Sequence, residues 1–328
     1  MRAPDFWTEG GALAQALAPL GAAYAGVGSL RRALARPVTV PVPVVCVGNL
    51  VTGGAGKTPV ALALLGALRD RGETPHALTR GYGGREAGPL RVDPARHDAA
   101  RVGDEALLLA RAAPTWVARD RPAGAKAAVA AGASFVVMDD GFQNPSLKKD
   151  LSILVVDGSY GFGNGRVVPA GPLREPLARG LARADAVVVV GEAAGDLEQT
   201  LGTDRPVLGA DLAPAGGAES LRGRKLVAFA GIGRPEKFFA SLRDLGAELA
   251  ETHGFADHHA YRPGEVAELV ARAQALGAAL VTTEKDAVRL PPDRLSEIQV
   301  LAVNLAWRDP AAIDRLLEPL LGKTRTAP

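Results

Sequence analysis

A glycine-rich stretch between an apolar run and a Lys-Thr-Pro sequence constrains the fold of this chain more than any other feature. Residues 44–48 read Val-Val-Cys-Val-Gly, and residues 53–59 read Gly-Gly-Ala-Gly-Lys-Thr-Pro. The apolar run is typical of a buried strand, while proline suits the first turn of a helix, which has spare backbone N–H groups. Glycines let backbone N–H groups approach phosphate oxygens, and the helix N-terminus adds partial positive charge. The sequence therefore predicts a strand, a phosphate-binding loop and a helix in succession.

The two residues that end this loop have the chemistry that nucleoside triphosphates and magnesium require. Lys57 is expected to reach the terminal phosphates, and Thr58 offers its hydroxyl to Mg²⁺. The loop departs from the common P-loop pattern because Val51 stands where the first glycine belongs, and it follows the Gly-Gly-x-Gly-Lys-Thr variant instead. The predicted nucleotide contacts are Thr52, Gly53, Gly54, Ala55, Gly56, Lys57 and Thr58.

An acidic partner for the metal ion follows a second apolar run. Residues 135–138 read Phe-Val-Val-Met and lead directly into Asp139 and Asp140. With Thr58, these carboxylates are the predicted metal site, because P-loop enzymes place an acidic residue at the end of a neighbouring strand. Aspartate is also common in the turn after a strand, and the upstream loop is what favours the metal site over that alternative. Asp157 ends another apolar run and is a weaker candidate of the same type.

Short apolar runs alternate with Ala- and Leu-rich stretches along the first two thirds of the chain. This alternation predicts an α/β fold like that of P-loop NTPases, with a mostly parallel sheet covered by helices. The predicted strands are 44–47, 76–79, 115–118, 135–138, 153–156, 186–190 and 207–210, and the clearest helices are 59–71, 104–112 and 124–131.

The sequence Ala-Pro-Ala-Gly-Gly at residues 213–217 reads as a linker, after which a second α/β series begins. We expect a smaller α/β domain that closes a cleft over the first. Its predicted strands are 226–230, 248–252, 279–283 and 300–303, and its helices are 235–245, 263–276 and 310–321. The predicted organisation is an N-terminal helix over residues 1–35, a P-loop domain over 36–213 and a second domain over 214–328.

Composition excludes several other classes of protein. The formal net charge is only +2, which argues against a nucleic-acid binder, since such proteins usually carry a basic stripe. Cys46 is the single cysteine, so no disulfide and no cysteine metal cluster forms within one chain, and a reducing compartment fits. No feature of the sequence indicates an obligate protein partner.

The N-terminal segment carries no charge between Glu9 and Arg31 and is followed by Arg32 and Arg36. A secretory signal would place positive charge before the apolar run, whereas Asp5 and Glu9 precede it here, so a signal peptide is not expected. The composition is compatible with a helix that lies on a membrane, with a weak spanning helix, and with an Ala-rich helix packed on the core.

Three segments carry residues that could act on a phosphoryl acceptor. Asp104 opens a predicted helix, where it is either an N-cap or a base. Asp257, His258 and His259 are adjacent, which suggests proton handling, and either histidine fits that role. The Gly- and Pro-rich segment 163–176 contains Arg166, Arg174 and Glu175, which suit either an anion site or a salt-bridged surface loop.

Taken together, nine motifs resemble those of the tetraacyldisaccharide 4'-kinase family, in order and spacing, across nearly the whole chain. They are Val-Gly-Asn-Leu (47–50), Gly-Gly-Ala-Gly-Lys-Thr-Pro (53–59), Thr-Arg-Gly-Tyr (79–82), Val-Gly-Asp-Glu (102–105), Asp-Asp-Gly-Phe-Gln (139–143), Pro-Ala-Gly-Pro-Leu-Arg-Glu-Pro (169–176), Gly-Ile-Gly-Arg-Pro (231–235), Asp-His-His (257–259) and Thr-Glu-Lys-Asp (283–286). A shared P-loop alone does not produce such a series.

The resemblance implies ATP-dependent phosphorylation of the 4'-hydroxyl of an acylated glucosamine disaccharide 1-phosphate in lipid A synthesis. The implied cofactors are ATP and Mg²⁺, and the implied location is the cytoplasmic face of the inner membrane, which the N-terminal helix contacts. An Asp–His pair serves the acceptor in this family, and Asp104 matches the aspartate, while His258 matches the histidine better than His259. The further site residues carried over or predicted are Lys57, Asp139, Asp140, Asn49, Arg80, Gln143, Arg174, Glu175 and His259.

Two other functions compete with this interpretation. A P-loop NTPase that acts as a switch or a metal-insertion factor would hydrolyse nucleotide in response to a protein partner. A kinase of a small soluble metabolite would have no affinity for micelles or liposomes.

Overall fold

The computed structural model describes residues 4–322 and contains thirteen strands and twelve α-helices in this range. The strands are β1 (Val44–Gly48), β2 (Pro75–Thr79), β3 (Leu90–Arg91), β4 (Thr115–Val117), β5 (Phe135–Asp139), β6 (Leu151–Asp157), β7 (Ala186–Val190), β8 (Val207–Pro214), β9 (Lys225–Ala230), β10 (Glu248–Gly254), β11 (Ala279–Thr283), β12 (Ile298–Leu301) and β13 (Val303–Trp307). The helices are α1 (Phe6–Glu9), α2 (Ala12–Ala33), α3 (Lys57–Arg69), α4 (Ala99–Val102), α5 (Asp104–Ala112), α6 (Arg121–Ala130), α7 (Leu177–Leu181), α8 (Leu197–Leu201), α9 (Pro235–Asp244), α10 (Pro263–Ala275), α11 (Glu284–Ala287) and α12 (Pro310–Leu317).

The larger sheet has nine strands in the order β13-β8-β7-β6-β1-β5-β2-β4-β3. Its seven inner strands are parallel, and only the two outermost, β3 and β13, run antiparallel to their neighbours. The central strands are buried along their whole length, because a hydrophobic core lies on each face of the sheet. The predicted α/β fold with a mostly parallel, helix-covered sheet is therefore confirmed.

A smaller sheet of four parallel strands follows, in the order β10-β9-β11-β12. Its helices α9 and α10 cover opposite faces, and each face has its own apolar cluster. The amphipathic spacing of Phe238, Phe239 and Leu242 gives α9 one buried stripe against this sheet.

The end of the chain does not stay with the smaller sheet. The sequence places all of residues 214–328 in a second domain, whereas β13 pairs antiparallel with β8 of the nine-stranded sheet. The following helix, α12, buries Ile313 and Leu317 in the core beneath the larger sheet. Backbone N–H and C=O groups at the outer edge of β8 pair with those of β13. The chain therefore leaves the larger sheet after β8 and returns to it after β12. Residues 1–3 and 323–328 of the predicted first and last segments lie outside the described residues.

The nine-stranded sheet with its helices forms the larger unit, and the four-stranded sheet with its helices forms the smaller unit. The N-terminal helix α2 packs on the larger unit through its small residues. Ala14, Gly21 and Ala25 are buried, and a Cβ added to Gly21 would lie 2.7 Å from the carbonyl oxygen of Val167. Within residues 4–322, α2 alone is long and apolar enough to cross a membrane by length and composition. The apolar side chains that it leaves exposed are Leu13, Leu20, Tyr24, Val27 and Leu30.

Candidate active site

The glycine-rich loop joins the central strand β1 to helix α3, as the sequence predicts. Gly56 has φ +82°, and a Cβ there would lie 3.3 Å from Val190, so glycine suits this turn for both reasons. Helix α3 begins at Lys57, whose side chain is mostly buried and whose Nζ lies 3.7 Å from Oδ1 of Asp140. A buried ammonium at the N-terminus of a central helix provides a strong site for phosphate.

The residues ahead of Gly56 take different parts in this loop. Gly53 and Gly54 are exposed, whereas Ala55 is buried. The backbone N–H of Thr52 donates to the carbonyl oxygen of Pro172 at 2.9 Å, and the Thr52 hydroxyl donates to the same oxygen at 3.2 Å. Thr52 therefore ties the loop to the segment around Pro172 in this structure, and its hydroxyl does not point freely toward a nucleotide.

Thr58 and Asp139 meet because β1 and β5 are parallel neighbours, with Val47 opposite Asp139. The Thr58 hydroxyl donates to Oδ2 of Asp139 at 3.1 Å, while the buried Oδ1 has no hydrogen-bond partner among residues 4–322. Burial, followed by the nearby charge of Glu105, raises the pKa of Asp139 to about 7. A buried carboxylate with a free oxygen beside a threonine hydroxyl fits a divalent cation, whose charge would balance that of the carboxylate.

Asp140 takes a different position from its neighbour. Its backbone has φ 52°, a left-handed conformation uncommon for aspartate, and its Oδ1 contacts Lys57 at 3.7 Å and Arg174 Nη1 at 3.1 Å. Burial raises the pKa of Asp140, but the charges of Lys57 and Arg174 outweigh this effect, so the pKa lies below its usual value. The carboxylate therefore stays ionised and joins the phosphate-binding loop to the loop that carries Arg174.

Asp104 lies in the first turn of α5 and is only 3% exposed. The N-cap of this helix is Gly103, so Asp104 is not the capping residue. Its Oδ2 lies 2.9 Å from Nδ1 of His258, which comes from the loop after β10 of the smaller sheet. Burial raises the pKa of Asp104, but the hydrogen bond from His258 and the charges of Lys285, His258 and Arg289 together hold it below its usual value.

The structure separates the two adjacent histidines. His258 has φ 58° and turns toward the larger unit, where its ring lies 5.2 Å from that of Tyr82. His259 points the other way, stacks on Phe255 with ring centroids 4.8 Å apart, and lies 3.1 Å from Oε2 of Glu265. Of the two candidates, the structure therefore brings His258 to Asp104 and places His259 in the packing of the smaller unit.

Glu175 anchors the predicted active-site loop and is only 1% exposed. Its carboxylate accepts two hydrogen bonds from Arg183, at 2.5 and 2.6 Å, and lies 3.5 Å from Nη1 of Arg32 in the N-terminal helix. Nε2 of Gln143 donates to Oε1 of Glu175 and to the carbonyl oxygen of Asn49. The side chain of Asn49 in turn donates to the carbonyl oxygen of Gly53, so this network shapes the phosphate-binding loop.

Two arginines follow the carboxyl ends of neighbouring strands. Arg80 is exposed and directly follows β2. Arg121 is buried near the end of β4, and burial lowers its pKa to about 10 although the charges of Asp140 and Asp139 oppose this effect. Arg121 is absent from the predicted site residues, although the strand-end rule that selected Asp139 also points to it.

The smaller unit contacts the phosphate-binding loop directly through an arginine that the sequence predictions leave out. Arg234 follows β9, donates to the carbonyl oxygen of Gly54 at 3.4 Å and pairs with Asp157, which also binds Nζ of Lys237 at 2.9 Å. Asp157, the weaker metal candidate, is thus held by two cations. Burial raises its pKa, but bonds from Ser159 and Lys237 and the charge of Arg234 bring it below the usual value.

Comparison with known proteins agrees with this geometry. The family model described as tetraacyldisaccharide-1-P 4'-kinase matches residues 13–321. The tetraacyldisaccharide 4'-kinase of Paramagnetospirillum magneticum is 56% identical over 321 residues, covering 97% of this chain and 98% of the relative. The corresponding enzyme of Rhodospirillum centenum is 55% identical over 327 residues, covering 98% of this chain and 97% of the relative.

A crystal structure of LpxK from Aquifex aeolicus in complex with ATP has the same fold, with a TM-score of 0.75 and 27% sequence identity. The match covers 94% of this chain and 99% of that one. With the family model matched over nearly the full length, the chain belongs to the tetraacyldisaccharide 4'-kinase family.

Proposed function

We propose that this protein transfers the γ-phosphate of ATP to the 4'-hydroxyl of tetraacyldisaccharide 1-phosphate in lipid A biosynthesis. The observation that carries the proposal is the pairing of Asp104 with His258 beside the phosphate-binding loop. Glu105, the next residue, lies close enough for its charge to raise the pKa of Asp139, which supports a pair close to the metal site. A base beside a bound triphosphate is the arrangement that phosphoryl transfer to a hydroxyl requires.

Binding of the nucleotide falls to the loop and the start of α3. Backbone N–H groups of Gly53, Gly54 and Gly56 and the ammonium of Lys57 hold the phosphate oxygens. The residues that would hold Mg²⁺ are Thr58 and Asp139, with Asp140 beside them. Bound there, Mg²⁺ supplies charge that stabilises the transferring phosphoryl group.

Deprotonation of the sugar hydroxyl falls to the Asp104–His258 pair. Asp104 accepts from Nδ1 of His258 and orients the ring, which leaves Nε2 to take the proton of the 4'-hydroxyl as its oxygen attacks phosphorus. Arg80 and Arg174 supply cations for the anionic groups of the acceptor. Gln143 holds the phosphate-binding loop in place through the carbonyl oxygen of Asn49.

Membrane contact falls to α2. Its apolar side chains lie on one helical face, Val27 being 70% exposed, and Arg31 follows at its C-terminal end. The opposite, small-residue face is already packed on the loop around Val167. A face of this kind is suited to the acyl boundary of a bilayer with arginine among anionic headgroups, which supports the proposed location on the cytoplasmic face of the inner membrane.

The decisive test is transfer of radiolabelled γ-phosphate from ATP to tetraacyldisaccharide 1-phosphate in detergent micelles. We expect labelled glycolipid from the wild type and none from Lys57→Ala. A folded wild type that binds ATP and labels no glycolipid would refute the proposed acceptor. Hydrolysis stimulated only by a protein partner would favour a switch NTPase, and labelling of a soluble sugar alone would favour a small-metabolite kinase.

The two histidines provide a matched pair for the role of the base. We expect His258→Asn to lower kcat by about 10²–10⁴-fold, the range for loss of a general base. His259→Asn removes a ring that packs on Phe255, and its effect should appear mainly as reduced stability. Equal losses of kcat in both variants, at equal stability, would contradict the assignment.

A further inference from the structure

A lysine occupies the open side of the histidine in the Asp–His pair. Lys285 lies in the short helix α11, directly after the carboxyl end of β11. Its Nζ is 3.4 Å from Nε2 of His258 and 3.4 Å from Oε1 of Glu105. The imidazole is thus placed between a carboxylate of Asp104 at one nitrogen and an ammonium at the other.

This contact fixes where the imidazole carries its proton. An ammonium has three donors and no acceptor, so Nε2 of His258 must accept from Lys285 through its lone pair. Nδ1 then carries the proton and donates to Oδ2 of Asp104. An N–H at Nε2 would point a second donor at the ammonium, so the 3.4 Å contact requires a free lone pair at Nε2.

The other charged groups around His258 act in the opposite direction. Asp104 and Asp257, whose Oδ2 lies 3.8 Å from Nε2, both favour an imidazolium, and the ring of Tyr82 carries no charge below its own ionisation. Arg289 lies 3.6 Å from Oδ2 of Asp104 and partly offsets that carboxylate. Among the described residues, Lys285 is the cation that contacts Nε2 itself.

Lys285 is well suited to remain protonated in this position. Burial lowers its pKa, but the charges of Glu105, Asp104 and Asp257 outweigh burial, and the pKa lies above its usual value. Glu105 also gives the ammonium a second partner at equal distance. The lysine can therefore leave Nε2 without losing its ion pair.

We propose that Lys285 is a positioning residue that holds His258 as the neutral Nδ1–H tautomer until the acceptor hydroxyl reaches Nε2. The hydroxyl then displaces the ammonium toward Glu105 and finds a lone pair ready to accept its proton. As the hydroxyl oxygen bonds to the γ-phosphorus, the bond from phosphorus to the bridging oxygen of ADP breaks, and the hydroxyl proton goes to Nε2. This proposal rests on the proposed function, in which His258 is the base.

The first test compares pH profiles of kcat/KM for the wild type, Lys285→Met and Lys285→Arg. Loss of the charge in Lys285→Met should move the acidic limb of the profile upward, because a positive charge beside Nε2 is removed. Lys285→Arg keeps the charge and should leave the limb close to that of the wild type. If Lys285→Met is active and the acidic limb of its pH profile coincides with that of the wild type, the proposal is overturned.

Lys237→Met is the matched control for this comparison. Lys237 also extends from the smaller unit to a carboxylate of the larger one, Asp157, but does not contact His258. The acidic limb of the pH profile of Lys237→Met should coincide with that of the wild type. A limb that moves equally in both lysine variants would show a general effect of the contact between the two units and would overturn the specific role of Lys285.

The second test needs no turnover. The chain has 5 histidines, so ¹⁵N-labelled histidine gives few signals, and that of His258 is identified by its loss in His258→Asn. We expect the neutral Nδ1–H pattern in the wild type at neutral pH, and conversion to imidazolium at a higher pH in Lys285→Met than in the wild type. The same tautomer and midpoint in both proteins would refute the proposal, whereas a wild type that labels no glycolipid would refute the proposed function alone.

Discussion

Asp139→Asn should stabilise the metal-free protein, although it removes a predicted magnesium ligand. The carboxyl of Asp139 is fully buried, and burial raises its pKa from the usual 3.8 to about 7. The native state therefore holds a proton that the unfolded chain releases. For a group whose pKa is raised on folding, the stability contribution is intact below the unfolded pKa and is lost as the pH rises toward the folded pKa.

The magnitude follows from the two pKa values. Each pH unit between 3.8 and about 7 lowers the free energy of unfolding by about 1.4 kcal/mol. The loss amounts to about 2 kcal/mol at pH 5 and about 4 kcal/mol at pH 8. Asparagine has a similar shape and carries no charge at either pH. The stability of Asp139→Asn relative to the wild type should thus rise by about 2 kcal/mol between these two pH values.

Urea unfolding at pH 5 and pH 8, in the presence of a chelator, measures this difference directly. Adding Mg²⁺ at pH 8 should stabilise the wild type more than Asp139→Asn, because the buried carboxylate then gains a cation. Asp211→Asn is a suitable control, since Asp211 lies on the surface and pairs with Arg308. If the free energies of unfolding of the wild type and Asp139→Asn differ by the same amount at both pH values, the reasoning is refuted.

Three further predictions concern the end of strand β1, the proposed base and the exposed face of α2. Gly48→Ala should lower the free energy of unfolding by about 1–3 kcal/mol, because the new Cβ overlaps Phe142, whose backbone nitrogen would be 3.0 Å away; an unchanged urea midpoint would contradict the close packing. Asp104→Asn should lower kcat by about 10²–10⁴-fold with an unchanged circular dichroism spectrum, and full activity would exclude Asp104 from the base. Val27→Glu should reduce sedimentation with anionic vesicles, whereas Val207→Glu, another exposed valine, should not; equal binding by both variants would argue against α2 as the contact surface.

Much of the fold could be predicted because its elements are encoded locally. The predicted strand at residues 186–190 coincides with β7, and the predicted helix at 104–112 coincides with α5. The phosphate-binding loop and Asp139 were predictable for the same reason, since each follows a continuous apolar run whose carboxyl end must lie at one edge of a parallel sheet.

The place of the C-terminal segment could not be predicted in this way. Residues 300–303 read as a strand of the second domain, but the structure ends β12 at Leu301 and starts β13 at Val303. The two strands join different sheets. An apolar alternating run shows that a strand forms but does not show which edge it will pair with, because that depends on which edge the rest of the fold leaves open.

By itself, the sequence determined the motifs, the α/β class and the residue types of the site, since these depend on local patterns. Only the tertiary structure decided which residues meet: Asp104 pairs with His258 across 154 positions of sequence, while His259 turns away. Likewise, no local pattern places Lys285 at Nε2 or Arg32 beside Glu175. These contacts join segments far apart in the chain, and the packing of two sheets and one N-terminal helix sets their distances.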